Sequence, residues 1–318
     1  MMSKLIGVIA SVAAITLLVT LSAGASPRGA NGEIAFNRYN PSLDDTQIYA
    51  VQPNGEGEHL VSDPALEGPR WSPDGTQLAA CCTDGGEAAI VNPDNGSYRV
   101  VPQSNPALSL YCGPWSRDGK SLACEGFGQT DGTLNGIYSV RASDGGGLRR
   151  ITSAPNGDDV PGSWSPDGNK LVFDRLSTDA LFVVNADGHG LKQITPSGFQ
   201  LGFVANWSPQ GNEIIFSRHA TPDARSSLWV VNSDGSGLHR IDVQPASECG
   251  GLISDPASRG CSEPAWSPDG DQIVFARGTN LDADGQIFTV NADGTGLTQV
   301  TDGPGDQSPD WGRRPLAH

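Results

Sequence analysis

Four arginines occupy one position of a repeated sequence pattern, each two residues after the phenylalanine of a short apolar run. They are Arg38, Arg175, Arg218 and Arg277. Guanidinium groups gathered on one face would bind an anionic ligand or partner, because each offers a planar fork of donors to a carboxylate or phosphate. The alternative is structural pairing with acidic residues that stand shortly before a tryptophan. Those acidic residues are Glu67, Asp159, Glu263 and Asp306.

An oxygen-rich segment that starts at Asn280 begins like a calcium-binding loop. Asn280, Asp282 and Asp284 alternate, and Gly285 stands at the sixth position. The twelfth position is Asn291, whereas such a loop ends with a bidentate glutamate. The segment therefore favours a polar turn, and calcium binding by Asn280, Asp282 and Asp284 stays an open alternative.

Residue patterns for catalysis are sparse. The sequence has no Gly-x-Ser-x-Gly motif, which excludes a serine hydrolase of that type. Of five histidines, only His219 lies in one of the long predicted loops at which we expect binding. We therefore predict no histidine metal cluster. We expect no cofactor and no metal. A site made of carboxylates alone stays open, and an enzyme is the less favoured interpretation.

The cysteines predict disulfides rather than a metal site, because the chain carries an export signal and has no Cys-x-x-Cys motif. The predicted pairs are Cys112 with Cys124, across a tight turn, and Cys249 with Cys261, around one loop. The adjacent cysteines at 81 and 82 either bridge each other or pair elsewhere.

All these residues stand in a repeat that covers nearly the whole chain. The motif Trp-Ser-Pro-Asp-Gly, its two variants and one truncated copy are marked by Trp71, Trp115, Trp164, Trp207, Trp266 and Trp311. Successive tryptophans are 44, 49, 43, 59 and 45 residues apart, close to the period of about 40–50 residues of a four-stranded propeller blade. We interpret the tryptophans as packing residues between blades. The turn aspartates Asp74, Asp118, Asp167 and Asp269 are interpreted as turn formers.

The ends of the chain predict a closed ring. Three strands, at residues 33–36, 47–51 and 58–61, precede Trp71, and one strand ends at Trp311. Together they complete a sixth blade, with strands b, c and d from the N-terminus and strand a from the C-terminus. Closure of this kind leaves no free sheet edge between the first and last blades. We therefore predict an all-β, six-bladed propeller over residues 33–311, with a tail at 312–318.

Composition restricts the compartment and the partners. The 318 residues carry a net charge of −16, which argues against a nucleic-acid partner. An apolar run at residues 5–21, followed by Ala23-Gly24-Ala25, predicts a secretory signal at residues 1–25, with an uncleaved anchor as the alternative. No other segment is long and apolar enough to cross a membrane, and residues 26–32 form a short linker.

The motifs Trp-Ser-Pro-Asp-Gly and Val-Asn-x-Asp-Gly-x-Gly-Leu resemble the TolB-type, WD-like β-propeller repeat. The resemblance covers residues 33–311 and implies the fold more than the activity, because such propellers host many functions. A TolB protein carries an α/β domain ahead of its propeller, and only residues 26–32 stand between the predicted signal and the first strand here.

We therefore expect a monomeric, exported binding or interaction module that acts on an envelope or secreted protein, in a periplasm or outside the cell. The runner-up is a propeller hydrolase or lyase that acts on an extracellular carbohydrate or lactone. The longest loops are predicted between strands b and c and between strand d and the next strand a, so we expect binding at that face.

Overall fold

Short runs of β-branched and aromatic residues between Asp-Gly turns form the strands of six antiparallel sheets, each with four strands. The computed structural model describes residues 29–62, 66–81, 86–202, 204–219, 224–245, 249–254 and 258–315, without the side chains of Leu281 and Asp282. We call each sheet a blade and name its strands a, b, c and d. The six four-stranded sheets confirm the predicted all-β fold of six blades.

Blades 1 to 5 each use four strands in chain order from a to d. Blade 1 contains β4 (Glu67–Trp71), β5 (Leu78–Cys81), β6 (Ala89–Val91) and β7 (Tyr98–Val100). Blade 2 contains β8 (Leu108–Trp115), β9 (Ser121–Gly128), β10 (Gly136–Arg141) and β11 (Arg149–Arg150). Blade 3 contains β12 (Asp159–Trp164), β13 (Lys170–Arg175), β14 (Ala180–Asn185) and β15 (Lys192–Gln193). Blade 4 contains β16 (Asn206–Trp207), β17 (Glu213–His219), β18 (Ser226–Asn232) and β19 (His239–Arg240). Blade 5 contains β20 (Gly260–Trp266), β21 (Gln272–Gly278), β22 (Gln286–Asn291) and β23 (Thr298–Gln299).

Blade 6 joins the two ends of the described chain. It contains β24 (Asp306–Arg313) as strand a, followed by β1 (Asn31–Asn40), β2 (Asp45–Val51) and β3 (His59–Ser62). In this sheet Ile34 pairs with Trp311 and Arg38 with Asp306. Each strand a also contacts the strands a of both neighbouring blades, from β4 through β8, β12, β16 and β20 to β24 and back to β4. The strands a therefore surround a central axis.

The hydrophobic core lies between blades. Strand b of four blades carries a phenylalanine with no exposed surface, and these residues are Phe36, Phe173, Phe216 and Phe275. Phe173 of blade 3 packs in one cluster with Ala123 and Ile137 of blade 2. Because each blade fills its neighbour in this way, no blade has a complete core of its own.

The repeated aspartates build the turns between strands a and b, as interpreted from the sequence. In blade 1, Ser72 Oγ donates to Asp74 Oδ1 at 2.6 Å and accepts from the backbone N–H of Gln77 at 3.0 Å. Gly75 has a φ of 73°, in the left-handed region where glycine is favoured. The equivalent serine–aspartate bonds recur at Asp118, Asp167 and Asp269.

Two predicted disulfides are present. Cys112 and Cys124 are paired across strands a and b of blade 2, with Cα atoms 3.9 Å apart. Cys249, in the middle of the long connection from blade 4 to blade 5, is bonded to Cys261 at the start of β20, with Cα atoms 5.3 Å apart. Cys82 lies outside the described residues, so the two alternatives for Cys81 and Cys82, a bridge between them or pairing elsewhere, both stay open.

The predicted signal at residues 1–25 lies outside the described residues, as do residues 316–318 of the predicted tail. Two short helical pieces, α1 (Leu281–Asp284) and a 3-10 turn at Gly132–Leu134, lie between strands b and c. Within the ranges that the structure describes, no helix has the length and apolar character needed to span a membrane.

Candidate functional site

The four sequence-predicted arginines lie at one end of the ring, where strands b end and strands a begin. We call this end the arginine face, and the opposite end, with the a–b and c–d turns, the turn face. The arginine face also carries the Cys249–Cys261 connection and the loops between strands b and c. The structure divides the four arginines into two unlike pairs.

Arg38 and Arg175 form salt bridges with buried carboxylates. Arg175 Nε lies 2.7 Å from Asp159 Oδ1, and Arg175 Nη2 lies 2.8 Å from Asp159 Oδ2. Arg38 binds Asp306 in the same way, at 2.6 and 2.9 Å, and also lies 2.5 Å from Glu58 Oε1. The hydrogen bonds that Arg175 donates to Asp159 raise the pKa of Arg175, although burial works against this rise. The guanidinium groups of Arg38 and Arg175 are therefore paired with carboxylates inside the protein, which is the arrangement that the structural alternative to binding predicts.

Arg218 and Arg277 face different residues across their sheets. Arg218 is opposite Leu201, and Arg277 is opposite Cys261. In contrast, Arg175 and Arg38 are opposite aspartates. The Arg277 guanidinium lies 4.6 Å from the ring centre of Phe288, and burial lowers its pKa.

Arg218 lies on an aromatic platform that we call the Arg218 patch, formed by Phe199, Arg218 and Trp229. Its guanidinium carbon lies 3.8 Å from the ring centre of Phe199 and 4.9 Å from that of Trp229. Burial lowers the pKa of Arg218, and the charge of Asp179 only partly opposes this effect. Within the described part of the chain, the buried Nε atom of Arg218 has no acceptor. The patch thus combines a desolvated cation, aromatic surface and an unused donor.

Buried polar atoms without partners surround this patch. Within the described residues, Asp174 Oδ1, Gln200 Oε1 and Ser217 Oγ lack hydrogen bonds. Asp179 joins blades 3 and 4 there, because its carboxylate accepts the backbone N–H groups of Gln200 at 2.7 Å and Leu201 at 3.0 Å. Burial, with the nearby charge of Asp179, raises the pKa of Asp174 to about 8.

A second perturbed carboxyl occupies the same strand position in blade 2. Burial, with the charges of Asp158 and Asp159, raises the pKa of Glu125 to about 7. Glu125 and Asp174 each stand 10 residues after their tryptophan, where the corresponding residues in blades 4 and 5 are Ser217 and Ala276. Sequence reasoning missed both acids, although this break in the repeat was a readable signal.

Replacing Asp174 with asparagine is expected to flatten the pH dependence of stability. In the unfolded chain Asp174 ionises near its ordinary pKa of 3.8, whereas the folded protein keeps the proton until about pH 8. The folded state therefore binds more protons over this window, and stability falls as pH rises through it. Urea unfolding at pH 5 and pH 8 measures the difference. Asp167→Asn is the control, because hydrogen bonds from Ser165 and Asn169 lower the pKa of Asp167 below the window. An unchanged slope in Asp174→Asn would contradict a protonated Asp174.

Three other residues singled out in the sequence accept hydrogen bonds from groups of the protein. Glu67 accepts from Thr46 Oγ1 at 3.3 Å, and Glu263 accepts from the backbone N–H of Ser308 at 2.6 Å. Asp284 Oδ1 accepts hydrogen bonds from the backbone N–H groups of Thr279 and Asn280, each at 2.8 Å. These bonds are those of a capped polar turn. The side chain of Asp282 lies outside the described residues. Among the residues that are described, no three His, Cys, Asp or Glu side chains are grouped as metal ligands would be.

Comparison with known proteins gives a family and a fold. A family model of the TolB beta propeller domain matches residues 19–257. The fold is similar to TolB from Acinetobacter baumannii, at 17% identity and a TM-score of 0.67, over 89% of this chain and 67% of that chain. It is also similar to a putative TolB from Agrobacterium tumefaciens, at 20% identity and a TM-score of 0.64, over 87% of this chain and 91% of that chain.

An enzyme shares the fold as well. An oligogalacturonate lyase in complex with manganese is 14% identical, with a TM-score of 0.55, over 81% of this chain and 71% of that chain. No curated protein sequence matches the chain. At such identities the structural likeness shows a shared propeller fold only. The activity has to be inferred from the residues of this chain.

Proposed function

The chain belongs to the TolB beta-propeller family, and from that premise we propose that it is an exported, non-catalytic binding module of the cell envelope or extracellular space. The observation that carries this proposal is the Arg218 patch on the arginine face. A cation held against two aromatic rings, with a buried donor unused, suits an anionic group of a partner protein.

The protein's overall charge makes this patch selective. The net charge of −16 repels acidic partners from most of the surface, so an anionic group is favoured only where an arginine is not neutralised by a carboxylate. Arg38 and Arg175 are neutralised by Asp306 and Asp159. Arg218 is therefore the arginine that we assign to partner binding, with Arg277 beside a second aromatic ring on the same face.

Export is supported by two observations. The disulfides Cys112–Cys124 and Cys249–Cys261 suit an oxidising compartment. The apolar N-terminal segment predicts a secretory signal. We propose a periplasmic or secreted location on these grounds.

A second candidate function is a propeller hydrolase or lyase for an extracellular carbohydrate or lactone. The observation that favours it is the pair of carboxyls with raised pKa values, Glu125 and Asp174, on the same face. A carboxyl that keeps its proton near neutral pH has the property of a general acid. This candidate predicts turnover that is lost in Glu125→Gln or Asp174→Asn.

Affinity capture from envelope and secreted proteins distinguishes the two candidates. Residues 26–318 are immobilised as the unchanged chain, as Arg218→Gln and as the control Arg141→Gln. Arg141 lies on the turn face with 53% of its side chain exposed. We expect a partner retained by the unchanged chain and the control, and held about tenfold more weakly by Arg218→Gln, because a charged hydrogen bond is lost. Equal retention by Arg218→Gln would contradict the assignment. No retention, together with turnover of a polysaccharide or lactone, would favour the second candidate.

A further inference from the structure

Six tryptophans, one from each blade, line a single cavity on the axis at the turn face. They are Trp71, Trp115, Trp164, Trp207, Trp266 and Trp311, and the cavity has a volume of about 220 Å³. Prolines that follow four of the tryptophans also line it, which places the cavity among the a–b turns. The tryptophans thus pack between blades, as interpreted from the sequence, and also present their rings to a common space.

The indole N–H groups of this cavity are of two kinds. Trp115 Nε1 donates to the carbonyl of Arg70 at 3.0 Å, and Trp311 Nε1 donates to the carbonyl of Gly32 at 3.2 Å. The other four have buried Nε1 atoms without an acceptor in the described part of the chain; these are Trp71, Trp164, Trp207 and Trp266. Trp207 and Trp266 are only 7% and 8% exposed. These four nitrogens are buried, so the tryptophans line the cavity with the carbon atoms of their rings.

Two arginines line the same cavity at positions where the repeat otherwise has proline. The residue two places after the tryptophan is proline in blades 1, 3, 4 and 5, but it is Arg117 in blade 2 and Arg313 in blade 6. Arg117 Nε donates to the carbonyl of Pro166 at 2.9 Å. Burial and the positive charge of Arg117 lower the pKa of Arg313. The ion pairs of the described residues include neither arginine, so two like charges face the cavity together.

The one acidic side chain in the cavity lining does not neutralise this charge. Asp310 Oδ2 accepts the backbone N–H of Trp71 at 2.7 Å, and thereby holds blade 6 to blade 1. Burial raises the pKa of Asp310, although the charge of Arg70 opposes the rise. Its carboxyl is thus used between strands rather than for pairing with Arg117 or Arg313.

From this arrangement we propose that the cavity binds a small organic anion, a carboxylate carried on a flat apolar body. Arg117 and Arg313 hold the carboxylate, and the tryptophan rings enclose the apolar part. The volume of about 220 Å³ is below the roughly 300 Å³ at which pockets for drug-sized ligands begin, which restricts the ligand to a small molecule. This site lies at the opposite end of the ring from the arginine face, so it is independent of the proposed partner-binding surface.

Intrinsic tryptophan fluorescence tests the proposal, since six of the seven tryptophans line the cavity. The full chain is titrated with benzoate and with benzamide, its uncharged analogue of the same shape, at constant ionic strength. We expect a saturable change of fluorescence with benzoate. The affinity for benzamide is expected to be at least about tenfold lower, because benzamide lacks the charge that the arginines bind. Arg117→Gln and Arg313→Gln are each expected to weaken benzoate binding about tenfold, and the exposed-site control Arg141→Gln to leave it unchanged.

A thermal unfolding curve checks that each variant is folded. The proposal is overturned if benzoate gives no saturable change, if benzamide binds equally, or if the folded arginine variants bind like the unchanged chain.

Discussion

Truncation of the chain after Gly305 is expected to abolish cooperative folding of the whole ring, because it removes β24, the inner strand of blade 6. This strand pairs with β1 and contacts β4, β20 and β21. Its loss exposes Ile34 and Phe36, which have no exposed surface in the intact protein, and removes Trp311 from the core. Deleting one large buried side chain costs about 3–5 kcal/mol. Loss of the strand is therefore expected to exceed the stability of about 5–15 kcal/mol that a folded protein typically has.

Truncation after Arg314 is the matched control, because it keeps all of β24 and the hydrogen bond from the Arg314 N–H to the carbonyl of Ala30. Thermal unfolding followed by circular dichroism measures both chains. The control is expected to unfold at the temperature of the unchanged protein, and the shorter chain to show no cooperative transition. A sigmoidal transition at the same temperature in the shorter chain would show that the ring is stable without its closing strand.

Asp159→Asn is expected to destabilise the protein by about 3 kcal/mol, because it leaves the largely buried Arg175 side chain without its counter-charge. The Asp159 side chain has no exposed surface and that of Arg175 is only 17% exposed, so water replaces little of the lost interaction. The substitution also removes one of the charges that raise the pKa of Glu125, and this relief offsets a small part of the loss.

Asp144→Asn is the control for this substitution. Asp144 pairs with Arg141 at 2.6 Å, but both side chains are more than half exposed, at 55% and 53%. Exposed pairs contribute little to stability, so no measurable change is expected. Urea unfolding at neutral pH compares the two variants. Equal stabilities would mean that Arg175 gains nothing from Asp159, and Arg175 would then be as available for binding as Arg218.

The comparison of Asp159→Asn with Asp144→Asn bears on function, because an arginine that forms a salt bridge with a buried carboxylate is not free to bind a partner. Asp306 and Asp159 hold Arg38 and Arg175, and the rings of Phe199 and Trp229 hold Arg218. Binding at this face and anion binding at the turn face are separately testable, because Arg218→Gln and Arg313→Gln change opposite ends of the ring.

Much of the fold could be predicted because each blade is specified within about 45 residues of sequence. The Ser-Pro-Asp-Gly turn sets the hairpin between strands a and b through bonds such as that of Ser72 with Asp74, which involve neighbouring residues only. Counting strands before Trp71 and after the last hairpin was enough to predict a sixth blade made from both ends. The disulfide Cys112–Cys124 followed from the same local turn.

The candidate sites depended on contacts that are distant in the chain. Sequence placed four arginines at one strand position, but the residue across the sheet differs between them. Asp159 and Asp306 stand opposite Arg175 and Arg38 and form salt bridges with them, whereas Leu201 stands opposite Arg218. The raised pKa of Asp174 comes from burial between blades. Neither cross-strand register nor burial between blades is a property of one repeat.

By itself, then, the sequence determined the blades, their number and their turns, because neighbouring residues make those interactions. Only the tertiary structure brought six tryptophans with Arg117 and Arg313 around one cavity, because these residues come from six blades and meet at the axis. The repeat specifies each copy of a blade, whereas the chemistry at either end of the ring arises where the copies differ and face one another.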